Sequence, residues 1–183
     1  MARFATAIDV DMTNKGLRIA YLVNILLYAL VMGVFWGTWF SLSRSISSIA
    51  PDVFLDIGHT MIANLARPMS LLMPAALISS VLLLIVLARQ RRDAVFFLAL
   101  TSFVLMIAAL AITLAVNVPI DNDISRWTPS SLPADWMATR DRWEAYHTIR
   151  TLASVAALGC AVASALFWVP SPRGVANSVE RTL

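Results

Sequence analysis

Eleven residues, "RDRWEAYHTIR" at 140–150, carry five charged side chains and a histidine directly ahead of an apolar run that reaches Val169. Histidine titrates nearest neutrality and arginine is a permanent cation, so the pair suits proton movement beside a held negative charge. If the stretch is helical, Arg140, Trp143 or Glu144, His147, and Arg150 or Thr151 lie on one face. A second polar stretch, "NVPIDND" at 117–123, follows another apolar run. It supplies Asn117, Asp121 and Asn122, with Trp127 close behind and His59 in an earlier loop as further partners. Such a face just above hydrocarbon is costly unless it meets partners or a water-filled pocket. The alternative is structural: the arginines snorkel and pair with Glu144 and the loop aspartates, while Trp127, Trp136, Trp143 and Tyr146 form an interfacial belt.

The scaffold that carries these residues is set by composition. Of 183 residues 59% are hydrophobic and only 14% charged, far from the balance of a soluble domain. Four runs are long enough to cross a hydrocarbon core of about 30 Å: 19–42, 68–88, 94–116 and 149–169. They contain no Asp, Glu or Lys, and Arg150 sits at an end. Runs this long and unalternating are helices, not barrel strands. The expected fold is all-α, a four-helix transmembrane bundle forming one integral membrane domain over 1–183, with structured outer loops at 43–67 and 117–148. The first run is too long for a signal-peptide core and lacks a small-residue cleavage site, so it is expected to remain in the mature chain.

Small residues predict how the helices meet. Ala29, Gly33, Gly37 and Ser41 in the first helix, and Ala153, Ala157, Ala161 and Ala165 in the fourth, recur every fourth position. Such grooves permit close backbone approach, so these two helices are expected to touch along them, or one stripe serves a homo-oligomer. Asn24 and Tyr28 are expected to bond a neighbouring helix. In the first outer loop, Val53, Phe54, Ile57, Met61, Ile62 and Leu65 have helical spacing, which predicts an interfacial amphipathic helix acting as a lid. In the second, Pro119 and the Asn/Asp cluster are expected to stop the third helix near Asn117, and Ser131 or Asp135 to cap the next, with Pro133 in its first turn if Ser131 is the cap.

Lys and Arg set the orientation. Eight lie in the amino-terminal tail, the "RQRRD" connection at 89–93 and the carboxy-terminal tail; six lie in the other loops, where seven of the eleven acids accompany them. Both termini are therefore expected to be cytoplasmic in a multi-pass plasma (inner) membrane protein. The pI of about 9.6 then reflects a membrane-facing charge bias and needs no nucleic acid. The single Cys160 lies inside the fourth run and excludes an intramolecular disulfide or a Cys-based metal cluster. A non-haem iron triad from His59, His147 and Asp121 or Glu144 is conceivable, but the expectation is no metal. Dinucleotide, P-loop and nucleophile-elbow motifs are missing. No span carries the midhelix carboxylate or lysine of a proton-coupled transporter.

The ordered set "NVPIDND…W…DW…RDRWEAYHTIRT", with "GVFWGTWFSL" at 33–42 and "RPMSLLMPAAL" at 67–77, resembles the anthrone oxygenase-like family of small four-helix integral membrane proteins over nearly the whole chain. The matching positions include Asn117, Pro119, Asn122, Trp136, Arg142, Trp143, Glu144, His147 and Arg150; Asp121 departs from an expected second Asn. Bacterial members mostly have no assigned reaction, whereas fungal relatives oxidise anthrones to anthraquinones. The resemblance therefore implies an oxygenase acting at an outward-facing pocket on a flat hydrophobic aromatic, anthrone- or hydroquinone-like. It needs no resident cofactor, and dioxygen is the co-substrate. In that reading His147 is the base, Arg150 with Arg142 stabilises the oxyanion, and Asn117, Asn122, Trp127, Trp136, Trp143 and Glu144 bind substrate. The alternative is a non-catalytic quinone- or lipid-binding accessory subunit using the same pocket.

Overall fold

The structure is a computed structural model that describes residues 2–90 and 93–168, with side chains described over 14–89 and 94–168. Arg3, Arg91, Arg92, Arg173 and Arg181, which entered the orientation argument, lie outside the described side chains. Helix α1 spans Ala2–Thr38 and passes through a π-helical turn, Trp39–Ser43, and a 3-10 turn, Ile46–Ser48. Helix α2 spans Pro51–Gln90 and α3 Asp93–Ile112; a second π-helical turn, Thr113–Asn117, leads into the short α4, Val118–Ile124. Helix α5 spans Trp136–Phe167. The described residues are all-helical, and four helices are long and apolar enough to cross a membrane.

Two of the expected breaks do not occur. The amphipathic segment of 53–65 is not a separate interfacial helix, because α2 runs unbroken for 40 residues through Pro68 and Pro74. At 1.5 Å per residue it is about 60 Å long, roughly twice a hydrocarbon core. Each proline removes one backbone hydrogen bond, a loss that membrane helices tolerate. Nor does Pro119 stop the third helix at Asn117. A proline ring at 119 has no N–H and would crowd the carbonyl of residue 115, and the preceding turn widens so that the Val118 N–H bonds the Thr113 carbonyl five residues back. The helix then continues to Ile124. Helix α5 begins at Trp136 with Asp135 at its cap position but without a side-chain bond. Ser131 instead accepts from the Thr128 N–H and closes a turn.

The helices are tied by polar groups inside the bundle. Asn24 Nδ2 donates to Ser79 and Ser80 Oγ at 2.9 and 2.8 Å, and Ser80 Oγ donates to Tyr28 Oη at 2.8 Å, joining α1 to α2 as expected. Tyr21 and Ser164 share a 2.9 Å bond between α1 and α5. Ser102 Oγ donates to the Ala157 carbonyl at 2.6 Å, joining α3 to α5. Around these lies a core of Tyr28, Val31, Met73, Ala76, Met106 and Ala161.

The small-residue stripe of α5 faces this core, with Ala157 and Ala161 buried. The stripe of α1 does not: Gly33, Gly37 and Ser41 are exposed, and a side chain added at either glycine would meet open space. Rotation of α1 is fixed instead by Asn24 and Tyr28, whose polar atoms must find partners in the bundle. Asn24→Leu is therefore expected to destabilise the protein by about 1 kcal/mol, whereas Gly33→Ala shifts stability by less than about 0.5 kcal/mol. Equilibrium unfolding in mixed micelles distinguishes the two.

Candidate functional site

The site forms where the two π-helical turns, α4, the amino-terminal half of α2 and the start of α5 converge. Wide turns of this kind recur at functional sites because they re-aim side chains within a continuous helix. At Gly58 the approach of α2 to α4 is tight, since a β-carbon there would meet the Ile124 side chain at 3.1 Å. His59 Nε2 donates to the Ile124 carbonyl at 2.9 Å. These contacts hold the amino-terminal half of α2 against α4, and one face of it lines the site from Phe54 to Pro74. The site is a cavity of about 560 Å³, within the usual range for small-molecule sites. Its lining is mostly aliphatic and thioether, including Ile57, Met61, Leu65, Met69 and Met73. Its polar lining groups are Thr38, Ser70, Thr113, Asp121, Asn122, His147 and Arg150, with the Trp143 indole.

Arg150 is 7% exposed, and its surroundings define the polar part of the lining. Its Nε and Nη2 both donate to His147 Nδ1, at 3.1 and 2.8 Å, and Nη1 donates to Thr113 Oγ1 at 3.1 Å. Its guanidinium carbon stands 4.6 Å from the centre of the Phe35 ring, a cation–π contact. A guanidinium has five N–H groups, so two are not engaged by these partners.

His147, 1% exposed, is fixed on every side. Nε2 donates to the Phe35 carbonyl at 3.2 Å, which leaves Nδ1 as the acceptor for Arg150. The Trp143 indole stacks on the imidazole at 4.8 Å and 3°, and the Phe35 ring meets it edge-on at 6.2 Å. Trp143 Nε1 in turn donates to Asp121 Oδ1 at 2.8 Å.

Of the polar residues and tryptophans singled out in the sequence, Asp121, Asn122, Trp143, His147 and Arg150 line the cavity. The others serve elsewhere. Arg142 is exposed and away from the cavity, because it lies on the face of α5 opposite the buried row of Arg140, His147 and Arg150. Glu144 is half-buried and outside the lining. Asn117 is fully buried and does not reach the cavity; its Nδ2 donates to the Trp143 carbonyl at 3.2 Å and its Oδ1 has no partner among the described residues. Trp127 and Trp136 pack into the apolar cluster of Ile46, Phe54, Leu55 and Ile124, Trp136 lying against Phe54 and under Arg140. Arg140 itself pairs with Asp141 at 2.7 Å. His147 offers no free lone pair to a substrate in this arrangement, which counts against the expected role as free base. The conceivable iron triad is not assembled, since no three His, Cys, Asp or Glu side chains among the described residues come together to hold a metal.

Sequence reasoning missed Thr113 and Phe35 as partners of Arg150, and the membrane half of the cavity formed by Met69 and Met73. Nothing in residue type marks them; they are ordinary residues of apolar helices. Asp121 was legible as a partner of the polar face, and its place on the cavity wall gives it more than that.

One family model, described as anthrone oxygenase, matches residues 63–160, more than half of the chain. The match takes in Thr113, Asp121, Trp143, His147 and Arg150, and leaves out the Phe35 wall from α1. No curated protein and no solved structure matches the chain.

Filling the cavity without touching its polar lining should separate ligand volume from chemistry. Leu65→Trp is expected to weaken binding of a tricyclic aromatic such as anthraquinone by about tenfold or more, roughly 1.4 kcal/mol, with the fold retained. Isothermal calorimetry on the protein in lipid nanodiscs measures it.

Proposed function

The chain belongs to the anthrone oxygenase family, and on that basis we propose that it is a membrane-embedded oxygenase for a flat, hydrophobic, anthrone-like compound. One observation carries the reading. Arg150 is a buried guanidinium held by His147, Thr113 and Phe35, with two of its five N–H groups not engaged by them, and it lines a largely apolar cavity. An apolar ring system fills the cavity, and its carbonyl oxygen lies against the guanidinium.

That placement supports the following chemistry. An anthrone is acidic at the ring carbon opposite its carbonyl. When that C–H bond breaks, the electron pair moves through the ring onto the carbonyl oxygen, and the oxyanion is stabilised by Arg150 in a site screened from water. The electron-rich enolate reduces dioxygen, the co-substrate, and forms a carbon–oxygen bond to give a hydroperoxide. Loss of the second hydrogen from the same carbon with cleavage of the O–O bond leaves a carbonyl and one water. The methylene loses four electrons and dioxygen gains four, so no resident cofactor enters the balance. His147 maintains the guanidinium in its orientation, and Trp143 and Asn122 border the bound rings. The arginine distribution supports an orientation with the cavity facing the outer side and both termini in the cytoplasm.

Arg150→Met is expected to lower kcat for oxygen uptake with 1,8-dihydroxyanthrone by about 10²–10³, the usual effect of losing one oxyanion donor, while anthraquinone still binds. Wild-type protein that binds anthraquinone but does not accelerate oxygen uptake would instead be a non-catalytic binding subunit. An oxygen electrode corrected for spontaneous oxidation measures the rate.

A further inference from the structure

The oxygenase reading leaves one requirement unmet, an acceptor for the proton of the acidic carbon. His147 does not supply it, because Nε2 carries a proton toward the Phe35 carbonyl and Nδ1 is occupied by two guanidinium N–H groups. Thr38, Ser70, Thr113 and Asn122 are too weakly basic, and the Trp143 indole only donates. The remaining polar group of the lining is Asp121.

Asp121 sits on the first turn of α4, placed there by the wide turn that Pro119 imposes. Its Oδ1 is pinned by the Trp143 indole at 2.8 Å, and Oδ2 has no hydrogen-bond partner among the described residues. It lines the same cavity as Arg150 and interacts electrostatically with it. The two do not close into a contact pair; the ion pair among the described residues is Arg140–Asp141. A carboxylate and a guanidinium that line one apolar cavity without closing into an ion pair present a base and an anion-binding group to one flat molecule.

We propose that Asp121 is the catalytic base of this site and that His147 is a positioning residue, acting through Arg150. The proposal rests on the oxygenase reading above. In the first half-step the C–H bond breaks, its proton passes to Asp121 Oδ2, and its electron pair becomes the oxyanion on Arg150. No oxidant is needed until dioxygen arrives. The Asp121 proton then returns to the oxygen that leaves as water, and the carboxylate is regenerated.

Because that half-step is independent of oxygen, it is measured anaerobically, as deuterium incorporation from D₂O at the acidic carbon of 1,8-dihydroxyanthrone, with the full chain in lipid nanodiscs. Wild type is expected to accelerate exchange over the spontaneous rate. Asp121→Asn, which still accepts from Trp143, is expected to lose about 10²-fold or more of that acceleration, the range for a general base. Anthraquinone binding should be unchanged, and Asp121→Glu should restore part of the exchange. His147→Gln, which retains an acceptor for Arg150, should lower the exchange rate by less than Asp121→Asn does and raise KM. If Asp121→Asn exchanges as fast as wild type, or if His147→Gln abolishes exchange while Asp121→Asn does not, the assignment is overturned and the oxygenase reading stands. If wild type binds the anthrone without accelerating exchange, both fall.

Discussion

A guanidinium cannot be taken into a helix bundle unless its N–H groups and its charge are met there. Arg150 is so placed, and the polar end of the molecule is organised around meeting it. The acceptor on its own helix is His147, one turn earlier, and this fixes the imidazole tautomer. Thr113 comes from the turn that widens ahead of Pro119, and the Phe35 ring and carbonyl come from α1. Three helices are thereby locked in relative rotation at one depth. The same arrangement leaves part of the guanidinium facing the cavity, so the interaction that closes the bundle also prepares an anion site.

The second constraint is the proline at 119. In water a proline after an Asn-Val pair would normally end a helix. Here the chain is still inside a helix long and apolar enough to cross a membrane, Ala94–Ile124, and in hydrocarbon free backbone groups are costly. A single wide turn keeps nearly all of them bonded and re-aims the helical residues beyond it. Asp121 thus lies on the cavity wall within reach of the Trp143 indole. Helix α2 makes the complementary contribution. It is about twice as long as a membrane is thick, and its amino-terminal half lines the cavity, attached to α4 by His59 and by the tight contact at Gly58.

Much of this was legible in residue order. Four long runs without acidic residues dictate four membrane helices, because the backbone must satisfy itself in hydrocarbon. The spacing of Arg140, His147 and Arg150 dictates a shared helical face, and all three side chains are buried. The bonding of Asn24 to α2 comes from the same polar logic. The errors have a common cause. Pro119, the cluster around Asn122, and the prolines of α2 are breaking signals calibrated on soluble helices, whereas in hydrocarbon a backbone has no partner but its own helix. The small-residue stripe of α1 does not face the bundle, since hydrogen bonding by Asn24 and Tyr28 decides which face turns inward.

The sequence by itself determined the helices, their membrane class, the polar face of α5 and the family, because each depends on periodicity and residue type along one segment. Only the tertiary structure decided which polar side chains share a cavity. Arg142 and Arg150 are equally basic in sequence, yet one faces outward and the other lines the cavity. His147 looks like a base until Arg150 and the Phe35 carbonyl occupy its two nitrogens, and Asp121 resembles a loop acid until the wide turn brings it to the cavity. Hydrogen-bond vacancy is a property of neighbours brought together across helices, and no single segment encodes it.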